Sequence, residues 1–181
     1  TLALAPQIAA TDQSVYVVWQ DGRNGDADIY FNRSDDAGVT WLPQDIRLDT
    51  APPGFRSEAP QLFVEGRNVY VVWRDARLGQ NFDIYFNRST DAGATWLADD
   101  LRLNTDAPDT AGSWSPQICA NGSDVFVVWG DDRSGDRDIY FNRSSDGGAT
   151  WLGADVRLDT DVAGIAASEN PQLCNDGSNV Y

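Results

Sequence analysis

The sequence has no histidine, no lysine and no methionine, and its only cysteines are Cys119 and Cys174. Without histidine, the chain cannot form a Ser-His-Asp triad, a Cys-His dyad or a histidine-ligated zinc site from its own residues. Two cysteines are too few for a disulfide framework. Glutamate is confined to Glu58, Glu65 and Glu169. Thirteen basic residues, all arginine, face 28 acidic ones, for a net charge of -15. A surface of that sign repels nucleic acid and anionic lipid, whose recognition depends on basic stripes that release counterions. It favours solubility and suits an extracellular or cell-surface protein. No membrane span and no signal segment is legible.

What the sequence does have is a repeat. Pro-Gln recurs at Pro6, Pro60, Pro116 and Pro171, in steps of 54, 56 and 55 residues. Each full step holds an apolar run (residues 15–19, 69–73 and 125–129) and then Asp-x-Arg-x-Gly. That loop starts at Asp21, Asp75 and Asp131. Asp-Ile-Tyr-Phe-Asn-Arg-Ser follows from Asp28, Asp83 and Asp138, and a short polar segment ends the unit at Arg47, Arg102 and Arg157. These are four strand-like segments, each bounded by turn residues. Four antiparallel strands recurring every 55 residues or so are the signature of a β-propeller blade. The expected fold is therefore all-β, a single array with blades over about 6–50, 60–105 and 116–160 and a partial blade over 171–181. Strand A should open at the Pro-Gln, with residues 1–5 in a D-to-A loop. Strand C should be central, and strand D a short polar edge.

Between strands C and D, three octapeptides fit Ser-x-Asp-x-Gly-x-Thr-Trp. They carry Ser34, Asp36, Gly38 and Trp41; Ser89, Asp91, Gly93 and Trp96; Ser144, Asp146, Gly148 and Trp151. The motif resembles the Asp box of sialidases and other BNR-repeat propellers, and the resemblance covers essentially the whole chain. It implies a structural hairpin on the face away from the ligand pocket. The Asp should accept backbone N–H groups of its own turn, the Gly should supply a positive φ, and the Trp should lock the hairpin to its own blade.

A residue present in every repeat serves the blade, whereas one that breaks the pattern is free for local work. Sialidase chemistry, which the resemblance brings to mind, uses three arginines, a Tyr–Glu pair and an acid Asp. All six tyrosines and nine of the arginines here are repeat positions, so no catalytic residue is assigned. The pattern-breakers on the expected loop face are Phe55, Arg56, Arg74, Phe82, Trp114 and Arg137. Of these, Arg56, Arg74, Trp114 and Arg137 are the candidate ligand-binding residues, since an indole beside guanidinium groups suits a sugar. The loop from Asp21 to Asp28 has some character of a calcium site, but its central arginine favours an internal Asp–Arg brace, and no metal residue is assigned. Asn32, Asn87 and Asn142 head formal glycosylation sequons in a central strand, where modification is not expected.

The leading reading is a non-catalytic extracellular propeller module that offers its loop face to a glycan or protein. A fragment of a sialidase-like glycoside hydrolase and a purely structural assembly module are the alternatives. Propellers close with about four to eight blades. The remaining blades are thus expected from a longer chain, which is favoured, or from a homo-oligomer.

Overall fold

The computed structural model describes residues 2–177 and 179–181. It is all-β, with no helix among the described residues. The first sheet is β1 (Ala3–Thr11), β2 (Ser14–Asp21), β3 (Asp28–Ser34) and β4 (Ile46–Arg47). The second is β5 (Ser57–Glu65), β6 (Asn68–Asp75), β7 (Asp83–Ser89) and β8 (Leu101–Arg102). The third is β9 (Ser113–Asn121), β10 (Asp124–Asp131), β11 (Asp138–Ser144) and β12 (Val156–Arg157). Each is an antiparallel meander in sequence order, so the second and third strands are central and the two-residue strand forms one edge.

The first strand of each blade begins earlier than the Pro-Gln motif suggests, and Ala3 to Ala5 are strand rather than loop. The chain runs through the proline by means of a bulge: the register breaks between Leu4 and Gln7, and again between Glu58 and Gln61. Proline has no N–H to give the ladder, and a bulge leaves it unpaired without ending the strand. The residue before it turns left-handed each time, with φ of 50° at Ala5, 53° at Ala59 and 50° at Ser115.

The sheets stack face to face, with β1 beside β5 and β5 beside β9. The apolar cores therefore lie between blades. One joins Tyr16, Val18, Phe31 and Leu48 of the first sheet to Val69, Val71 and Trp73 of the second. The other joins Val72 and Phe86 to Val125, Val127 and Trp129. This explains why the β6 sequence is apolar on both sides: a strand sandwiched between two sheets has no solvent face, whereas β2, in the first sheet, is buried only on the side of Tyr16 and Val18.

The Ser-x-Asp-x-Gly-x-Thr-Trp hairpins are built alike. Ser34 Oγ donates to Asp36 Oδ1 at 2.7 Å and accepts from Gly38 N at 2.9 Å. Asp36 also accepts from Thr40 N at 2.7 Å and Thr40 Oγ1 at 2.6 Å. Two consecutive residues turn left-handed, Ala37 (φ 56°) and Gly38 (φ 88°), and the other two blades repeat this at Ala92–Gly93 and Gly147–Gly148. The tryptophans depart from expectation. Trp96 packs edge to face on Phe31, and Trp151 on Phe86, each in the preceding blade rather than its own. The hairpin tip projects past its sheet, so the nearest apolar surface is the neighbour's. Arg33 Nη1 adds a bond across the first junction to Ala92 O at 3.0 Å, and Arg88 reaches Gly147 O across the second.

Near the end of the chain, Cys174 and Tyr181 pair antiparallel and exchange backbone bonds of 3.0 and 2.9 Å. Asn175 Nδ2 ties it to Ala120 O of β9 at 2.6 Å.

Candidate functional site

The registers place the first turn and the Asp-containing hairpin of each blade at one end. The Asp-x-Arg-x-Gly loops and the links between blades lie at the other. In the first of these loops, Asp21 accepts Arg23 N at 2.8 Å, Arg23 Nη2 at 2.7 Å and Trp19 Nε1 at 3.2 Å. The Arg23 hydrogen bond holds the Asp21 carboxyl below the usual carboxylate range. Arg23 also reaches Asp45 at 2.7 Å and lies over the Tyr30 ring at 4.1 Å. Arg77 repeats the set with Asp75, Asp100 and Tyr85, and Arg133 with Asp131, Asp155 and Tyr140. Each guanidinium thus ties its own loop to strand C and to the hairpin base. Burial pushes the Tyr85 phenol up to about 12, against the opposing pull of Arg77, which keeps its hydroxyl protonated at neutral pH.

Four of the six pattern-breaking residues, Arg74, Phe82, Trp114 and Arg137, occupy three corresponding places at this end. Ahead of the proline stand Leu4, Glu58, Trp114 and Glu169; after the tryptophan of β2, β6 and β10 stand Gln20, Arg74 and Gly130; before the first aspartate of β3, β7 and β11 stand Ala27, Phe82 and Arg137. Between the second and third blades these places converge. Trp114 and Phe82 meet edge to face, with centroids 5.5 Å apart. The Arg74 guanidinium lies 4.5 Å from the Phe82 ring and 4.8 Å from Trp114. Arg137 lies over Trp114 at 4.9 Å, and Arg56 over Phe82 at 5.0 Å. All four residues singled out for ligand binding are therefore in one group.

Two acidic residues hold the arginines. Glu58 pairs with Arg74 at 2.6 Å and faces Arg56 at 3.5 Å, while Glu169 pairs with Arg137. Neither glutamate was legible from the sequence as part of the site, because they looked like the ordinary occupants that Trp114 replaces. Phe82 is buried under the cluster as its floor. The Trp114 Nε1 is buried and has no hydrogen-bond partner among the described residues. Phe55 and Arg56 line an adjoining cavity of about 190 Å³ together with Asp26 and Gln80. A second cavity of about 180 Å³ beside it is lined by Asn24, Asp28 and Arg47. Burial raises the Asp28 carboxyl above its ordinary range.

Carboxylate oxygens of Asp138, Asp159 and Asp161 lie within 4.8 Å of one another. Arg157 already sits among them, at 2.8 Å from Asp138, 2.6 Å from Asp159 and 2.6 Å from Asp161, and supplies the positive charge there.

No protein-family model and no curated protein matches the chain by sequence. Solved structures match it in shape. The Hadza microbial sialidase Hz136 has a TM-score of 0.63 and 16% identity, over 82% of this chain and 36% of that one. The Trypanosoma rangeli sialidase has 0.63 and 15%, over 98% and 33%. A thermostable family-43 glycoside hydrolase has 0.63 and 12%, over 98% and 64%. The chain spans between about a third and just under two thirds of these structures' lengths. At such low identity the likeness speaks to architecture alone, and on that the matches agree with the sheets described above: the chain has a sialidase-like β-propeller fold.

Proposed function

We propose that the chain is a non-catalytic extracellular propeller module, built of Asp-box blades, that binds a glycan at the loop-face rim between its second and third blades. The observation that carries this reading is the Phe82–Trp114 pair with Arg56, Arg74 and Arg137 around it. The part-exposed Trp114 ring, seated on the buried Phe82, offers apolar surface to the C–H groups of a sugar, and guanidinium groups offer planar, directed donors to its hydroxyl or carboxylate oxygens. Glu58 and Glu169 keep these donors in place without ligand, which lowers the ordering cost of binding. The Asp-containing hairpins lie at the opposite end and serve the blades. A glycan array with the intact chain is the test, repeated with Trp114→Ala and Arg74→Ala. Selective binding that both substitutions weaken supports the reading; no binding, or binding indifferent to both, defeats it.

A second reading, a portion of a sialidase-like hydrolase, draws on the glycoside hydrolases among the structural neighbours and on Asp28. That carboxyl lines a cavity near the rim, where it pairs with Arg47 at 2.9 Å. Turnover of a fluorogenic sialoside that Asp28→Asn abolishes would favour it over the binding module.

A further inference from the structure

We infer that the rim takes a neutral linear oligosaccharide of about three units, one at the Phe82–Trp114 pair and one in each of the two cavities beside it. The inference rests on the glycan reading above and adds the length and charge class of the glycan.

Three positions adjoin along the loops. Arg56 joins the first to the second: its guanidinium lies 5.0 Å from the Phe82 ring, and its side chain lines the cavity of about 190 Å³. Asp26 and Gly54 line both that cavity and the next one, of about 180 Å³. The row therefore continues from the junction of the second and third blades to that of the first and second. Sites that hold a whole small ligand measure about 300–1,000 Å³. Each cavity alone is smaller than that and suits a single ring, so only a molecule of repeating units uses the whole row.

In the second position the polar groups are uncommitted, unlike those of the Asp–Arg braces. Arg56 is 53% exposed and faces Glu58 at 3.5 Å without a hydrogen bond. The Gln80 side chain and the Asp26 carboxylate have no hydrogen-bond partner among the described residues. With half-buried Phe55 as an apolar wall, they supply donors and an acceptor to hydroxyl groups.

Charge selects a neutral chain. Glu58 and Glu169 already answer Arg74 and Arg137. In the far cavity Arg47 is shared between Asp28 and Asp49, and Asp26 adds a further negative charge, which repels an acidic unit. An extended peptide suits the row less well, since it binds by adding a strand to a free sheet edge, and this row is made of loops.

The test is calorimetric titration of the intact chain with oligosaccharide ladders. The neutral ladders are of glucose, xylose, mannose, galactose and arabinose units, and an acidic one is of galacturonate. A neutral ladder is expected to gain about tenfold or more in affinity between one unit and three, and little beyond. Gln80→Ala and Asp26→Ala, both at exposed loop positions, should flatten that gain, with circular dichroism checking that the fold is retained. Trp114→Ala should weaken binding at every length. Affinity that is independent of length yet falls with Trp114→Ala overturns the inference and leaves the glycan reading standing. So does an acidic ladder that binds more tightly than every neutral one. Binding to none of the ladders also overturns it; the glycan array then decides the broader reading, and a casein digest that binds instead would assign the rim to peptides.

Discussion

The indole of Trp96 meets the ring of Phe31 edge to face at 4.9 Å across a blade junction, and 65 residues of chain separate the two. Such a pair contributes about 0.5–1.5 kcal/mol beyond the area it buries. Gly93 sits over the same ring: a Cβ there would lie 2.6 Å from Phe31 Cζ, so only glycine lets the hairpin seat on its neighbour. The junction, rather than the single sheet, is the unit of stability.

Trp96→Ala should therefore cost about 2–4 kcal/mol in urea unfolding, through lost packing and a cavity between blades. Trp41→Ala, the same change in the same motif, should cost this chain less than about 1 kcal/mol, because Trp41 is exposed and covers no ring among the described residues. Equal losses would contradict the interblade role.

Hydrogen bonds from Thr40, first its hydroxyl and then its N–H, bring the Asp36 carboxyl down to about 2, and Asp91 and Asp146 are lowered in the same way. A carboxyl whose folded value lies below its unfolded value of about 3.9 contributes stability that is complete above that value. The contribution is lost as pH falls through the folded value. Asp91→Asn should lower Tm at neutral pH, and its deficit against the parent chain should shrink between about pH 4 and pH 2. A deficit independent of pH would remove the charge from the explanation.

Asn87 and Asn142 are fully buried, and each side-chain amide is bonded on both its oxygen and its nitrogen. Expression in a glycosylating host should add no glycan at Asn87 or Asn142. Glycopeptides at either position would show that the strand opens before modification is complete.

Cys119 is buried and Cys174 exposed, both as free thiols. Burial raises the Cys119 thiol above its ordinary value and disfavours the reactive thiolate. One thiol should titrate promptly in the native protein and the second only after denaturation; two fast thiols, or none, would contradict this.

Much of this architecture is legible in the order of residues, because a blade is a local object. The apolar run at 69–73, the turn at Asp75 and Arg77, and the hairpin at Ser89 to Trp96 lie close together in sequence, and their chemistry dictates a four-stranded meander. Sequence alone also marked Arg56, Arg74, Trp114 and Arg137 as the residues that leave the pattern. Relations between blades were decided only by the tertiary structure. Whether a tryptophan covers its own sheet or its neighbour's depends on how far the hairpin projects, which no spacing encodes. The strand that continues through Pro6 depends on a bulge that a left-handed Ala5 makes possible. The site around Phe82 exists because stacking brings positions 58, 74, 114 and 137 to one rim, and their separation along the chain hides that meeting until the sheets are packed.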